Sequence, residues 1–165
     1  MVSMLKGGRK IARLSPDNVI FFECDIQQKL THLIYRCNTV VFNAAKLAQT
    51  AKIFDIPVLC TKQVNFGPVA EDITKHHHEG VKVFEKKTFS MLNSDTLPYI
   101  MSTKRTSVVL YGVEAHVCMK QTCLDLLEKD FDVHVVIDAC SSMQIADRNV
   151  GIQAMRDAGA NVTTY

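Results

Sequence analysis

Six cysteines occur in the chain, and Cys118 stands in the one setting that favours chemistry. It closes the segment GVEAHVC (residues 112–118), where an apolar run gives way to a helical pattern. A thiol at a helix start meets the partial positive charge of unpaired backbone N–H groups, which favours its thiolate form. The same N–H groups could hold an oxyanion. A thiolate nucleophile also needs a proton acceptor and a cation nearby. Asp25 ends another apolar run, NVIFFECD, and supplies a carboxylate. Lys86 and Lys87, in EKKTFSM (residues 85–91), are the candidate cations, although two lysines after a strand read by pattern alone as a solvated loop. By position alone Cys118 is either a nucleophile or a buried structural thiol. Of the other cysteines, Cys140 comes nearest to this setting but precedes Ser141-Ser142 and no immediate helix. Cys24 and Cys60 lie in the apolar runs FFEC and VLC and read as small buried hydrophobes. No CxxC pair occurs, which disfavours a zinc ribbon or a thioredoxin-type site.

Patterning indicates the elements that must position these groups. Short, nearly continuous apolar runs at 18–24, 58–61, 81–84, 107–113, 133–137 and 162–164 read as strands covered on both faces. Helical patterns separate them. The one over 38–54 has a stripe of Val41, Ala44, Ala48 and Ala51 widened by Leu47 and Phe54. A brief one over 93–102 is poorly specified, because Pro98 sits inside it. The next, 116–129, carries Cys123, Leu124 and Leu127 on one face. The last, 144–158, places Ala146, Val150 and Ala154 in register and ends at Gly159. Residues 63–80 read as a long irregular loop, and His76, His77 and His78 within it as a solvated run.

Alternating strands and helices predict an α/β fold, doubly wound, with a mostly parallel six-stranded sheet in the order 3-2-1-4-5-6 and helices on both faces. In such sheets ligands bind beyond the carboxyl ends of the strands at the switch point, here between strands 1 and 4. Asp25 and Cys118 flank that point.

Composition bounds the rest. The 165 residues suit one domain, assigned to 17–165, and the 47% hydrophobic and 22% charged content excludes a disordered chain. Net charge is +2, too small to imply a polyanionic partner. Residues 1–16 hold Lys6, Arg9, Lys10 and Arg13 and no acid, so they read as a flexible basic arm on a slightly acidic body. No apolar run approaches the ~18 residues of a membrane span. The arm lacks the apolar core of a secretory signal, which leads us to expect reduced thiols and a cytoplasmic protein, with mitochondrial targeting as the weaker reading. A glycine-rich phosphate turn is missing after strand 1, against nucleotide binding.

Four segments, in order, resemble the isochorismatase-like cysteine hydrolases: CDIQ (24–27), EKKTFSM (85–91), GVEAHVC (112–118) and VVIDACSS (135–142). FSM and DACSS resemble the eukaryotic isochorismatase-domain-containing subgroup. The resemblance implies an Asp-Lys-Cys triad of Asp25, Lys86 and Cys118, with Lys86 in register before Phe89-Ser90-Met91 and Lys87 as its neighbouring alternative. It also implies a cis peptide between Val113 and Glu114, turning the N–H groups of Glu114 and Cys118 toward one oxyanion. Gln27, Val113 and His116 are expected to line the pocket. Metal-binding nicotinamidases of the family use an Asp-x-His pair and a further His; the loop between strands 2 and 3 offers His76, His77 and His78 without that spacing, so neither metal nor cofactor is expected. The implied activity is hydrolysis of a small amide-like or related C–N substrate through a thioester. Rival readings are a catalytically idle assembly module of the same fold and a nucleic-acid-linked role through the basic arm. A truncated sheet edge and the family habit both lead us to expect a homo-oligomer, most simply a dimer.

Overall fold

The structure is a computed structural model that describes residues 13–165. Most of the basic arm expected over 1–16 therefore lies outside the described residues. Six strands form one sheet in the order β3-β2-β1-β4-β5-β6, every neighbouring pair parallel. They are β1 (Val19–Cys24), β2 (Val58–Gln63), β3 (Lys82–Lys86), β4 (Ser107–Val113), β5 (Asp132–Ser141) and β6 (Asn161–Thr163). The helices are α1 (Cys37–Ile53), α2 (Glu71–Thr74), α3 (Leu97–Ser102), α4 (Lys120–Glu128) and α5 (Ile145–Asp157). A π turn, Ala115–Met119, leads directly into α4. Among the described residues no helix is long and apolar enough to cross a membrane.

β1 and β4 are buried along their whole lengths, as expected of central parallel strands. Alternate side chains feed two cores. Val19 and Phe21 pack with α1, whereas Ile20, Phe22 and Cys24 pack with α3, α4 and α5.

Several elements differ from the patterns above, each for a local reason. Residues 63–80 are not wholly irregular: Ile73, completely buried, anchors the single turn α2. α3 begins only at Leu97, because Pro98 has no N–H to donate and is tolerated only in a first turn. β5 continues to Ser141 through an irregularity in its pairing with β4. Leu110 and Gly112 are two residues apart, yet their partners Val135 and Cys140 are five apart. Phe54 is exposed at the end of α1 instead of widening its stripe. On α4 the fully buried residues are Thr122, Cys123 and Leu126. α5 buries Gly151, Ile152 and Met155, and Val150 faces outward.

The α5 shift follows from how closely that helix approaches the π turn. A Cβ on Gly151 would lie 2.5 Å from the carbonyl carbon of Ala115 and 2.6 Å from the backbone nitrogen of His116. An alanine in an ordinary helix interior is better than glycine by about 0.5–1 kcal/mol. Here the obstacle is backbone that has no rotamer to change, and overpacking costs about 1–3 kcal/mol. Gly151→Ala should therefore destabilise the fold, seen as a lower urea midpoint, opposite to the usual sign.

Candidate active site

Three strands and one turn converge at the carboxyl edge of the sheet. β1 delivers Asp25, whose backbone takes the left-handed region (φ 50°) just past the strand. β3 delivers Lys86 as its last residue, inside the strand and not after it. β4 passes so near β1 that a Cβ on Gly112 (φ 129°) would sit 2.1 Å from the carbonyl oxygen of Cys24. The next peptide, Val113–Glu114, is cis. The chain then enters the π turn that carries Cys118. Single π turns of this kind recur at functional sites.

The side chains meet around one ammonium group. Lys86 Nζ lies 2.7 Å from Asp25 Oδ2 and 3.6 Å from Cys118 Sγ. It also donates to Gln63 Oε1 at 2.8 Å and to the carbonyl of Thr88 at 3.0 Å. Asp25 Oδ1 accepts from Thr61 Oγ1 at 2.9 Å. Both ions are 2% exposed, so each depends on the other for neutralisation. Lys87, the neighbour, is exposed, and its carbonyl accepts from Gln63 Nε2.

The electrostatics separate Cys118 from the other thiols. A hydrogen bond with Cys24 lowers its pKa, and Lys86 adds to that, against opposition from burial and Asp25. Burial pushes Cys24 well up. Burial likewise pushes Cys123 and Cys140 to about 12 and raises Cys60 and Cys37. For Lys86, burial alone would lower the pKa, but Cys24, Asp25 and Cys118 together raise it. The ammonium form is the one this pocket favours.

The remaining expected residues take different places. Val113 is buried, and half-buried His116 holds Ser142 Oγ at 3.0 Å through Nδ1. The Glu114 carboxylate accepts the N–H of Met143 at 2.9 Å. Gln27 does not face a pocket. It is fully buried, and its amide donates to the carbonyls of Gln63 and Gly67 and accepts the Gln63 N–H. Gln27 thus secures the segment that presents Gln63 to Lys86. The histidine run is not a solvated loop either. His77 Nε2 lies 3.2 Å from Glu23 Oε2, His78 Nε2 lies 3.2 Å from the Ile56 carbonyl, and His76 meets Gln49. Among the described residues no group of three or more His, Cys, Asp and Glu is arranged to hold a metal ion.

Thr61 and Gln63 belong to the site although patterning did not single them out. Their signal is the polar run Thr61-Lys62-Gln63 that ends a strand opened by Val58, Leu59 and Cys60, with Thr61 and Gln63 on one face. Glu23 has no such signal. It is completely buried inside an apolar run, held by Cys60 at 3.3 Å, Tyr111 at 3.2 Å and His77.

These environments predict selective thiol chemistry. Brief iodoacetamide treatment near neutral pH should label Cys118 before the other five cysteines, because alkylation requires thiolate. Its labelling rate should reach half-maximum below the ordinary thiol value of 9.0. Peptide mapping checks both, and first labelling at Cys140 or Cys37 would contradict the assignment.

Comparison with known proteins agrees with this architecture. The sequence profile of the isochorismatase domain matches residues 19–165. A secreted isochorismatase effector, Isc1, of Phytophthora sojae is 35% identical over 170 aligned positions, covering 99% of this chain and 81% of that protein. Isochorismatase domain-containing protein 2 of Xenopus laevis is 36% identical, covering 94% of this chain and 76% of its own. Among solved structures, the MAR1 ribonuclease from Caenorhabditis elegans superimposes with a TM-score of 0.89 at 36% identity, covering 93% of this chain and 80% of that one. The chain belongs to the isochorismatase family.

Proposed function

We propose that this chain is a cofactor-independent cysteine hydrolase acting on a small amide-like or related C–N substrate. Family membership supports a hydrolase-type function. The observation that carries the finer reading is the buried Lys86 ammonium bridging Asp25 Oδ2 and Cys118 Sγ. A nucleophile, a proton acceptor and a fixed cation then share one small volume, which is what nucleophilic catalysis by a thiol requires.

The steps follow from that arrangement. Asp25 accepts the Cys118 proton while Lys86 holds the resulting thiolate. The thiolate attacks the substrate carbonyl, and the N–H groups of Glu114 and Cys118 take the developing oxyanion. The C–N bond breaks as the leaving nitrogen recovers the proton from Asp25. Water then cleaves the thioester, with Asp25 again accepting a proton. Thr61 keeps Asp25 oriented, and Gln63 and Thr88 keep the ammonium aimed.

Incubation with a panel of small amides tests this. An acyl adduct on Cys118 by mass spectrometry is expected, with turnover falling about 10³-fold or more in Cys118→Ala. Undiminished turnover in that variant would overturn the mechanism, and no turnover of any amide would favour the idle assembly module. The ribonuclease name of the Caenorhabditis elegans relative motivates a second reading, action on RNA. RNA cleavage that survives Cys118→Ala and falls steeply with salt would favour it.

We further propose a homo-oligomer. The observation behind it is the sheet edge: β6 is three residues long and pairs with only His134, Val135 and Val136 of the ten-residue β5, and a short edge of this kind invites a partner. Sedimentation equilibrium at micromolar concentration should give a multiple of the 18.5 kDa chain mass; a single species at that mass would contradict it.

A further inference from the structure

One further thiol at the site takes no part in the bond-making and bond-breaking steps of the hydrolytic scheme. Cys24, the last residue of β1, is fully buried, yet its sulfur turns toward the functional edge. It lies 3.7 Å from Asp25 Oδ2, the oxygen that pairs with Lys86. It is also hydrogen-bonded to Cys118. Lys86 Nζ, 2.7 Å from that same Asp25 Oδ2, lies 3.6 Å from Cys118 Sγ, so the two sulfurs flank one carboxylate–ammonium pair. Cys118 is partly open to solvent, and all six thiols are free. No other cysteine is so placed. Cys60 is engaged with Glu23, Cys37 belongs to the core on the α1 face, and Cys140 neighbours Cys123.

We propose that Cys24 is the resolving thiol for Cys118, so that a hydroperoxide converts the pair into an internal Cys24–Cys118 disulfide. The Cys118 thiolate attacks the distal oxygen of the hydroperoxide. The O–O bond breaks, an S–O bond forms, and the departing alkoxide takes a proton from solvent to leave as alcohol. The product is a sulfenic acid on Cys118. Cys24 then passes its proton to Asp25 and attacks the Cys118 sulfur. The S–O bond breaks, and hydroxide leaves as water with that proton. Two thiols are oxidised by two electrons, the peroxide oxygen is reduced, and the products are a disulfide, an alcohol and a water. Sulfenic acids that meet a neighbouring thiol condense in this way, whereas isolated ones proceed to the irreversible sulfinic acid. The buried thiol would thus store the nucleophile in a form that a dithiol can restore.

The inference takes from the proposed function only a nucleophilic Cys118. Its readout is mass and not turnover, so the two readings fail separately. Trypsin places the cysteines in different peptides, residues 14–29 and 106–120, each with a single cysteine. The full chain is treated with a small excess of hydrogen peroxide, denatured and alkylated, then mapped without reduction. A cross-link between those two peptides is expected, with two of the six thiols protected from alkylation and released by dithiothreitol. In Cys24→Ala, Cys118 should instead accumulate as sulfinic acid that dithiothreitol does not reverse. The wild-type map decides the matter even if that variant fails to fold. Cys118 sulfinic acid alongside fully alkylatable Cys24, or a cross-link to any other cysteine, would overturn the proposal.

Discussion

A lysine ammonium shut away from water is tolerable only beside a negative charge, and the functional edge of this sheet is organised around one. Lys86 reaches Asp25 across β2, which lies between their two strands. Breaking such a buried pair by removing one partner costs about 3–5 kcal/mol, because the other ion is left uncompensated. The relative positions of β1, β2 and β3 therefore cannot drift at this end. The polar groups of β2 complete the constraint. Thr61 holds the carboxylate and Gln63 holds the ammonium, while Gln27 fixes the backbone at Gln63. A site assembled from three strands gains precision from the sheet register, which is set far from it by the apolar runs.

The fourth contributor reaches the site by a different route. β4 must bring its end against the β1 backbone, and only glycine at 112 leaves room. The chain then turns through the π turn, and α5 presses Gly151 onto its first residues. The bond from Glu114 to Met143 and the contact between His116 and Ser142 pin this turn to the segment after β5. That explains why β5 runs on to Ser141 despite its irregular pairing: the extension carries Ser142 and Met143 to where the turn needs partners.

The sheet order and the placement of Asp25 and Cys118 at one edge were legible because they depend on strong, simple signals, whereas Lys86 was singled out only by the resemblance around Phe89-Ser90-Met91. Fully buried strands are apolar runs, and crossover handedness limits how they can be ordered. The ends of runs mark the functional edge. What patterning could not read is polarity hidden inside those runs. Glu23 sits between Phe22 and Cys24, and nothing in the alternation shows that Tyr111, Cys60 and His77 converge on it from three other elements. Gln27 was misread for the same reason: an amide beside a candidate carboxylate looks like a ligand contact, and its satisfaction by backbone 36 residues away is a tertiary fact. On α5 the stripe was misplaced because glycine carries no hydrophobic signal, although its absent side chain decides which face can approach the π turn.

Cys24 shows most clearly how a residue type can mislead. A cysteine in an apolar strand is usually inert, and burial does hold this thiol in its neutral form. Neutrality is what makes it useful to its neighbour. A protonated thiol can donate to Cys118, and that hydrogen bond stands ahead of Lys86 among the causes that lower the Cys118 pKa. The donor sits at the end of β1, the same strand end that supplies Asp25. Proton acceptor and thiol donor are consecutive residues, directed to one site because the left-handed backbone at Asp25 breaks the strict alternation of the strand. With ordinary extended geometry their side chains would point to opposite faces of the sheet. The departure of a single φ angle from strand values therefore brings both groups to the nucleophile.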